Sequence, residues 1–366
     1  MPFDLCQNPP KFFEPGNRKL LLDVFPGTMR VEYDDRVLVY RFDQLPAKPW
    51  PKMIAGVPCY LTDGPRDEGP TIPIRYVPYS RIKISENLDL RDNEVAADLV
   101  FDLVRDFFAK TDITITEIQF WGHLIIIVLE DEANKSEILG AAPRSVAHCN
   151  CFYVFESMMG RPNKLSSLRH KSAPGVMLGS GIQHEQDSEI LSSSGVLVRD
   201  HLGFEYMTVA AHGFPALGFD NKVYHPHHSD RILGEVIREL SHTDVALVKL
   251  SQGVDFTNEP FKNTLSPAPP FILAGFSRAA ETRIGDLIYL DSPFSGLLEG
   301  VRRAHALLRT PRASQDMVDG ICGSALWGDD HKVLGFFQCA PASGVMLDYC
   351  MSVAADHLMD RRYTIV

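Results

Sequence analysis

Residues 319–328 read DGICGSALWG, and this stretch decides the fold. Cys322 lies between Gly320 and Gly323, is followed by the small residues Ser324 and Ala325, and precedes a strand pattern at KVLGFF (332–337). Glycines flanking a reactive side chain permit a tight turn that aims backbone N–H groups at one point in space. Small residues after it leave room for another backbone to approach.

Upstream, two further segments belong with it. In YMTVAAHGF (206–214), His212 ends an apolar strand after two small residues; in SHTDVALVKL (241–250), Asp244 opens a strand of alternating buried positions. An acyl-transfer nucleophile needs a base within hydrogen-bond reach, and that base needs an acceptor on its far nitrogen. Cys322, His212 and Asp244 are residue types suited to those three roles. Around them the short strands GVLV, YMTVA, GEVIREL, DVALVKL, FILAGF, DLIYL and KVLGFF recur between turn signals. Helical pattern is expected only at HALL (305–308) and in the last residues, so residues 175–366 read as an all-β sandwich or barrel.

The order His, Asp, nucleophile resembles the chymotrypsin-like peptidase family. AAHGF stands where that family has A-A-H-C, TDVALVKL resembles its D-I-A-L-L-K-L strand, and GICGSAL stands for G-D-S-G-G-P-L. The resemblance covers about half the chain, from Val176 to GVMLDYC (344–350). It implies a two-barrel domain with a Cys322, His212, Asp244 triad and an oxyanion hole from the N–H groups of Gly320 and Cys322. Cysteine replaces serine, as in viral chymotrypsin-like cysteine proteases, whose G-x-C-G motif is matched by residues 320–323. Ile321 stands where secreted zymogens keep an aspartate, and Gly213 stands where secreted relatives have a disulfide cysteine. The resemblance also puts the base of the first specificity pocket at Asp316 and its opposite wall on GFFQCA (335–340), which includes Phe336 and Phe337.

The function so implied is a cysteine endopeptidase acting on a protein or peptide substrate. A second reading is an inactive peptidase fold that binds peptides or proteins; a third is a serine peptidase using Ser324. Each residue also has a plain structural reading. Free cysteine is commonly a small buried residue, a strand-end histidine can be satisfied locally, and aspartate is common in turns.

Residues 1–156 read as a small α+β domain, and residues 157–174 as a linker. Strands are expected at LLLDVF (20–25), MRVEY (29–33) and RVLVYRF (36–42), the last two around a turn at Asp34 and Asp35. A helix capped by Asp92 or Asn93 follows from apolar residues at Val95, Ala96, Leu99, Val100, Leu103, Val104, Phe107 and Phe108. A β-rich run covers 113–129, broken at Gly122, and another strand covers 146–155.

Bulk properties narrow the function classes. A length of 366 residues suggests two domains, and a net charge of -11 argues against a nucleic-acid partner. The longest apolar run, LIIIVL (124–129), is too short to span a bilayer, and the N-terminus lacks a signal-peptide pattern. Seven scattered cysteines fit reduced thiols, so a cytoplasmic setting is expected. No cofactor or metal is implied. YHPHHSD (224–230) reads as a polar loop, and Cys149 and Cys151 should share one buried face of a strand.

Overall fold

LIIIVL is apolar without alternation, a pattern expected of a strand buried on both faces. The computed structural model places it accordingly. It describes residues 1–6, 9–33, 37–64, 78–91, 97–121, 124–131, 134–159, 177–180, 190–214, 221–225, 231–240, 243–260, 271–292, 296–304, 307–309, 320–341 and 349–366.

The N-terminal region holds two sheets. One comprises β1 (Arg30–Tyr33), β2 (Leu38–Arg41), β3 (Met53–Ile54) and β4 (Val57–Thr62), in the order β1-β2-β4-β3. The other comprises β5 (Lys83–Ile84), β6 (Ile115–Phe120), β7 (Leu124–Leu129), β8 (Ser145–Val146) and β9 (Cys149–Phe155), in the order β5-β8-β9-β7-β6. Helices α1 (Pro15–Leu22), α2 (Ala97–Phe108) and α3 (Lys135–Ala141) accompany them. LLLDVF therefore does not form a strand. Pro15 at the first helical turn, with its φ already set for helix, starts α1, and Leu21 is buried in the core of the first sheet.

On β7, Ile125, Ile127 and Leu129 pack with Val100, Val104 and Phe108 of α2. The alternate residues Leu124, Ile126 and Val128 face Trp121, Tyr349 and Met351. Because Tyr349 and Met351 lie in the C-terminal half, the α+β region shares a core with it. Cys149 and Cys151 are both buried in the core beneath α2. The start of the expected linker is folded: Glu156–Met159 forms a 3-10 turn, and Met159 is buried. The turn at Asp34 and Asp35, the helix caps Asp92 and Asn93, Gly122 and residues 160–174 lie outside the described residues.

The C-terminal half forms two larger sheets. One contains β10 (Met177–Ser180), β11 (Ile190–Ser193), β12 (Leu197–Arg199), β13 (Glu205–Ala210), β14 (Lys222–His225), β15 (Arg231–Glu239) and β16 (Val245–Leu250). The other contains β17 (Gly275–Phe276), β18 (Leu287–Ser292), β19 (Gly296–Ala304), β20 (Leu307–Arg309), β21 (Ala325–Gly328), β22 (Lys332–Cys339) and β23 (Tyr349–Ala354). Helix α4 (Asp356–Asp360) and β24 (Thr364–Ile365) end the chain, and β24 joins the first of these sheets at β12. In the second sheet β18, β19, β20, β23, β22 and β21 pair in a ring that closes on itself. Closure removes free strand edges. HALL is thus not helical where described, since Leu307–Arg309 is strand β20 and pairs on both sides.

One core joins the two sheets. Val196, Val198, Val245 and Leu247 from the first meet Ala325, Trp327, Val333 and Phe336 from the second, with Leu358 of α4. The three chemically suggestive segments converge at this junction.

Candidate active site

His212 is placed by backbone pairing. β13 runs antiparallel to β16 with Ala210 opposite Val245, and the Ala211 N–H donates to the Asp244 carbonyl at 2.9 Å. The chain then makes a 3-10 turn over Ala211–Gly213, which swings the His212 ring out of the strand. Asp244 sits one residue before β16, so the same register brings it beside that turn.

Its carboxylate holds His212 twice. Oδ1 accepts the His212 backbone N–H at 2.9 Å, and Oδ2 lies 2.5 Å from Nδ1. A carboxylate can only accept, so Nδ1 carries the proton and Nε2 is left for another partner. The Cys322 thiol lies close enough to the ring to bear on its pKa. The Asp244 hydrogen bond, and then the Cys322 one, push the His212 pKa up to about 10 from its ordinary 6.5. The ring is therefore an imidazolium at neutral pH. Its side chain is 49% exposed while that of Asp244 is 13% exposed, so the more buried carboxylate orients a ring that reaches solvent.

Cys322 is half-buried at the tip of the turn before β21. Its Sγ donates to the Gln338 carbonyl at 3.1 Å. Gly320 and Gly323, on either side, have φ of +103° and +92°, a region that side-chain-bearing residues rarely adopt. A Cβ added at Gly323 would lie 2.6 Å from the Ser193 carbonyl and 2.8 Å from the Ala210 nitrogen. This turn therefore has glycine for two reasons, conformation and close contact with the other sheet. Burial pushes the thiols of Cys6, Cys149 and Cys151 up, and that of Cys59 to about 12, so these stay protonated packing groups.

His212, Asp244, Cys322 and Gly320 are thus brought together from two sheets. Phe336 and Phe337 are not part of a cleft wall. Both are 3% exposed, in separate cores, because successive strand residues point to opposite faces and both faces of β22 are covered. Nor does β22 offer a peptide an edge over these residues, since it pairs with β21 and with β23. The proposed serine nucleophile fares no better. Ser324 is 2% exposed, and its hydroxyl has no hydrogen-bond partner among the described residues. Asp316 lies outside the described residues, as do His227 and His228. Among the described residues no group of His, Cys, Asp and Glu is arranged to hold a metal ion, and no helix is long and apolar enough to cross a membrane.

Sequence reasoning missed three residues at this junction. Gln338 accepts from Cys322 through its backbone, which no side-chain motif can report. Ser192 and Ser193 of β11 reach the Cys322 turn from the opposite sheet. The serine-rich stretch SSSG (192–195) is their only trace in the sequence.

No protein-family model and no curated protein matches the sequence. Solved structures similar to the chain include one described as "A glutamic acid specific serine protease utilizes a novel histidine triad in substrate binding", with TM-score 0.38 and 14% identity over 48% of this chain and 94% of that one. Cellulomonas bogoriensis chymotrypsin gives TM-score 0.38 and 14% identity over 52% of this chain and 96% of its own. Thermobifida fusca protease A gives the same four values.

Proposed function

We propose that the chain is a cysteine peptidase with a chymotrypsin-like two-barrel domain. One observation carries the reading: the Asp244 carboxylate holds the His212 ring at Nδ1, and the Cys322 thiol lies near that ring. The thiolate is the reactive form of a cysteine nucleophile, and an imidazole is the group that can take the thiol proton.

In this reading the Cys322 thiolate attacks the scissile carbonyl carbon. The new C–S bond displaces the carbonyl π pair onto oxygen, and the N–H groups of Gly320 and Cys322 receive that charge. Collapse of the tetrahedral intermediate breaks the C–N bond, and Nε2–H of His212 gives its proton to the leaving amine. A thioester remains. Water, deprotonated by the now neutral His212, hydrolyses it to release the acid and restore the ion pair. Asp244 holds the ring in one orientation throughout. The sequence of steps needs no metal or cofactor.

The substrate would be a protein or peptide, approaching over the small residues of the nucleophile turn. Incubation of wild type and Cys322→Ala with a diverse peptide mixture tests the reading. Cleavage by wild type alone is expected; equal cleavage by the variant, or none by either, contradicts it. Binding of peptides without cleavage would favour the inactive, peptide-binding form of the same fold.

A further inference from the structure

The nucleophile turn is a run of peptide planes between two glycines with positive φ. Nothing in such a run resists rotation of a plane unless its carbonyl or N–H is held. The partners differ from plane to plane.

The plane joining Ile321 to Cys322 is held locally, because the Ser324 N–H donates to the Ile321 carbonyl at 3.1 Å. In a trans peptide the N–H points opposite to the C=O, so this bond also sets the direction of the Cys322 N–H. The plane joining Cys322 to Gly323 is held on both sides. The Cys322 carbonyl accepts from Ser192 Oγ at 2.8 Å and from the Ser193 N–H at 2.9 Å, while the Gly323 N–H donates to the Phe337 carbonyl at 2.8 Å. The plane joining Gly320 to Ile321 has one partner among the described residues. Ser193 Oγ donates to the Gly320 carbonyl at 2.7 Å. Ser193 is 3% exposed, so no water substitutes readily for this bond.

We infer that Ser193 is a positioning residue for the oxyanion hole: its bond to the Gly320 carbonyl holds the Gly320–Ile321 plane and so anchors the Gly320 α-carbon, which carries the Gly320 N–H of the preceding plane. A hydroxyl from one sheet thereby makes the reactive turn of the other competent only when the two sheets are docked. Ser192 reinforces the neighbouring plane, which has two backbone bonds of its own and depends on the hydroxyl less. This inference rests on the peptidase reading, and its test separates the two.

Three readouts on the full chain suffice. Iodoacetamide alkylation of Cys322 reports the thiolate and needs no oxyanion hole. Capture of a peptidyl aldehyde forms a C–S bond and places a charged oxygen in the hole. Peptide hydrolysis gives kcat and KM. For Ser193→Ala we expect kcat and aldehyde affinity to fall together by about 10- to 100-fold, less than loss of a donor itself. KM should stay within about threefold, because the interaction is made with the transition state. Alkylation should be unchanged, and Ser193→Thr should restore both lost quantities. If Ser193→Ala does not fold, Ser193→Thr against Ser193→Val makes the same comparison at matched shape.

Unchanged kcat and aldehyde affinity in the variant lacking the hydroxyl would overturn the positioning role and leave the peptidase reading intact. A parallel fall in alkylation would overturn it in favour of general structural support. A wild type that alkylates but neither cleaves peptides nor captures the aldehyde overturns the peptidase reading, and the positioning role with it.

Discussion

The two halves of the candidate site are built by different means. His212 and Asp244 belong to one sheet, at the ends of the adjacent strands β13 and β16, and backbone register places them. Cys322 belongs to the closed ring of the other sheet, on a turn held by glycine conformations and by bonds from β11. The base is therefore placed by a ladder of backbone bonds, and its ring is oriented by the Asp244 carboxylate. The nucleophile turn depends on a few specific contacts across the junction, so small changes there should cost more.

The sharpest way to break this contrast is Gly323→Ala. The added methyl would meet the Ser193 carbonyl at 2.6 Å in a backbone conformation with φ of +92°. Peptide cleavage should fall by about 100-fold or more, since a displacement of the reacting group by an ångström costs that much. The low-field NMR proton between His212 and Asp244 should persist. Retained cleavage, or loss of that proton, would mean the two halves are not independently built.

Next come the two base-side substitutions. His212→Ala removes the proton carrier and should lower kcat/KM by about 100-fold. Asp244→Asn should cost about ten times less, because a thiolate is already nucleophilic and the ring keeps its backbone placement. Steady-state kinetics check this, and equal losses for both variants would contradict it.

The smallest effect is on stability. The His212 pKa is raised to about 10 in the folded chain against an ordinary 6.5, so its pairing with Asp244 stabilises the fold fully below about 6.5. That contribution is lost as pH rises toward 10. It should amount to about 1 kcal/mol or less, because the half-exposed ring lets solvent screen the pair. The Tm difference between wild type and Asp244→Asn should shrink over this window; a difference that widens with pH would reverse the sign.

How much of this could be read from the sequence follows from the kind of contact involved. His212, Asp244 and Cys322 were singled out because the segments around them, in that order, resemble those of chymotrypsin-like peptidases, and the strand patterns beside them are present. The all-β texture of the second half was legible from short strand patterns between turn signals. Ser193 was not, because its partner carbonyl is 127 positions away and a hydroxyl-to-backbone bond leaves no periodic trace. Phe336 and Phe337, which the resemblance put on a pocket wall, are buried in separate cores, because a resemblance in sequence does not report which faces of β22 are already covered. The uninterrupted run of β7 contained more than its length: two-sided burial tied the N-terminal region to Tyr349 and Met351. LLLDVF and HALL failed in opposite directions, one because a proline started a helix, the other because pairing with β19 and β23 outweighed helical propensity.

Labelling of the chain with a thiol-directed peptidyl probe, read by intact mass and by mapping the modified peptide, tests the central claim most directly. One probe molecule on Cys322 is predicted, with labelling greatly slowed in His212→Ala and absent in Cys322→Ala. Labelling at another cysteine, or at Cys322 with a rate indifferent to His212, would contradict it.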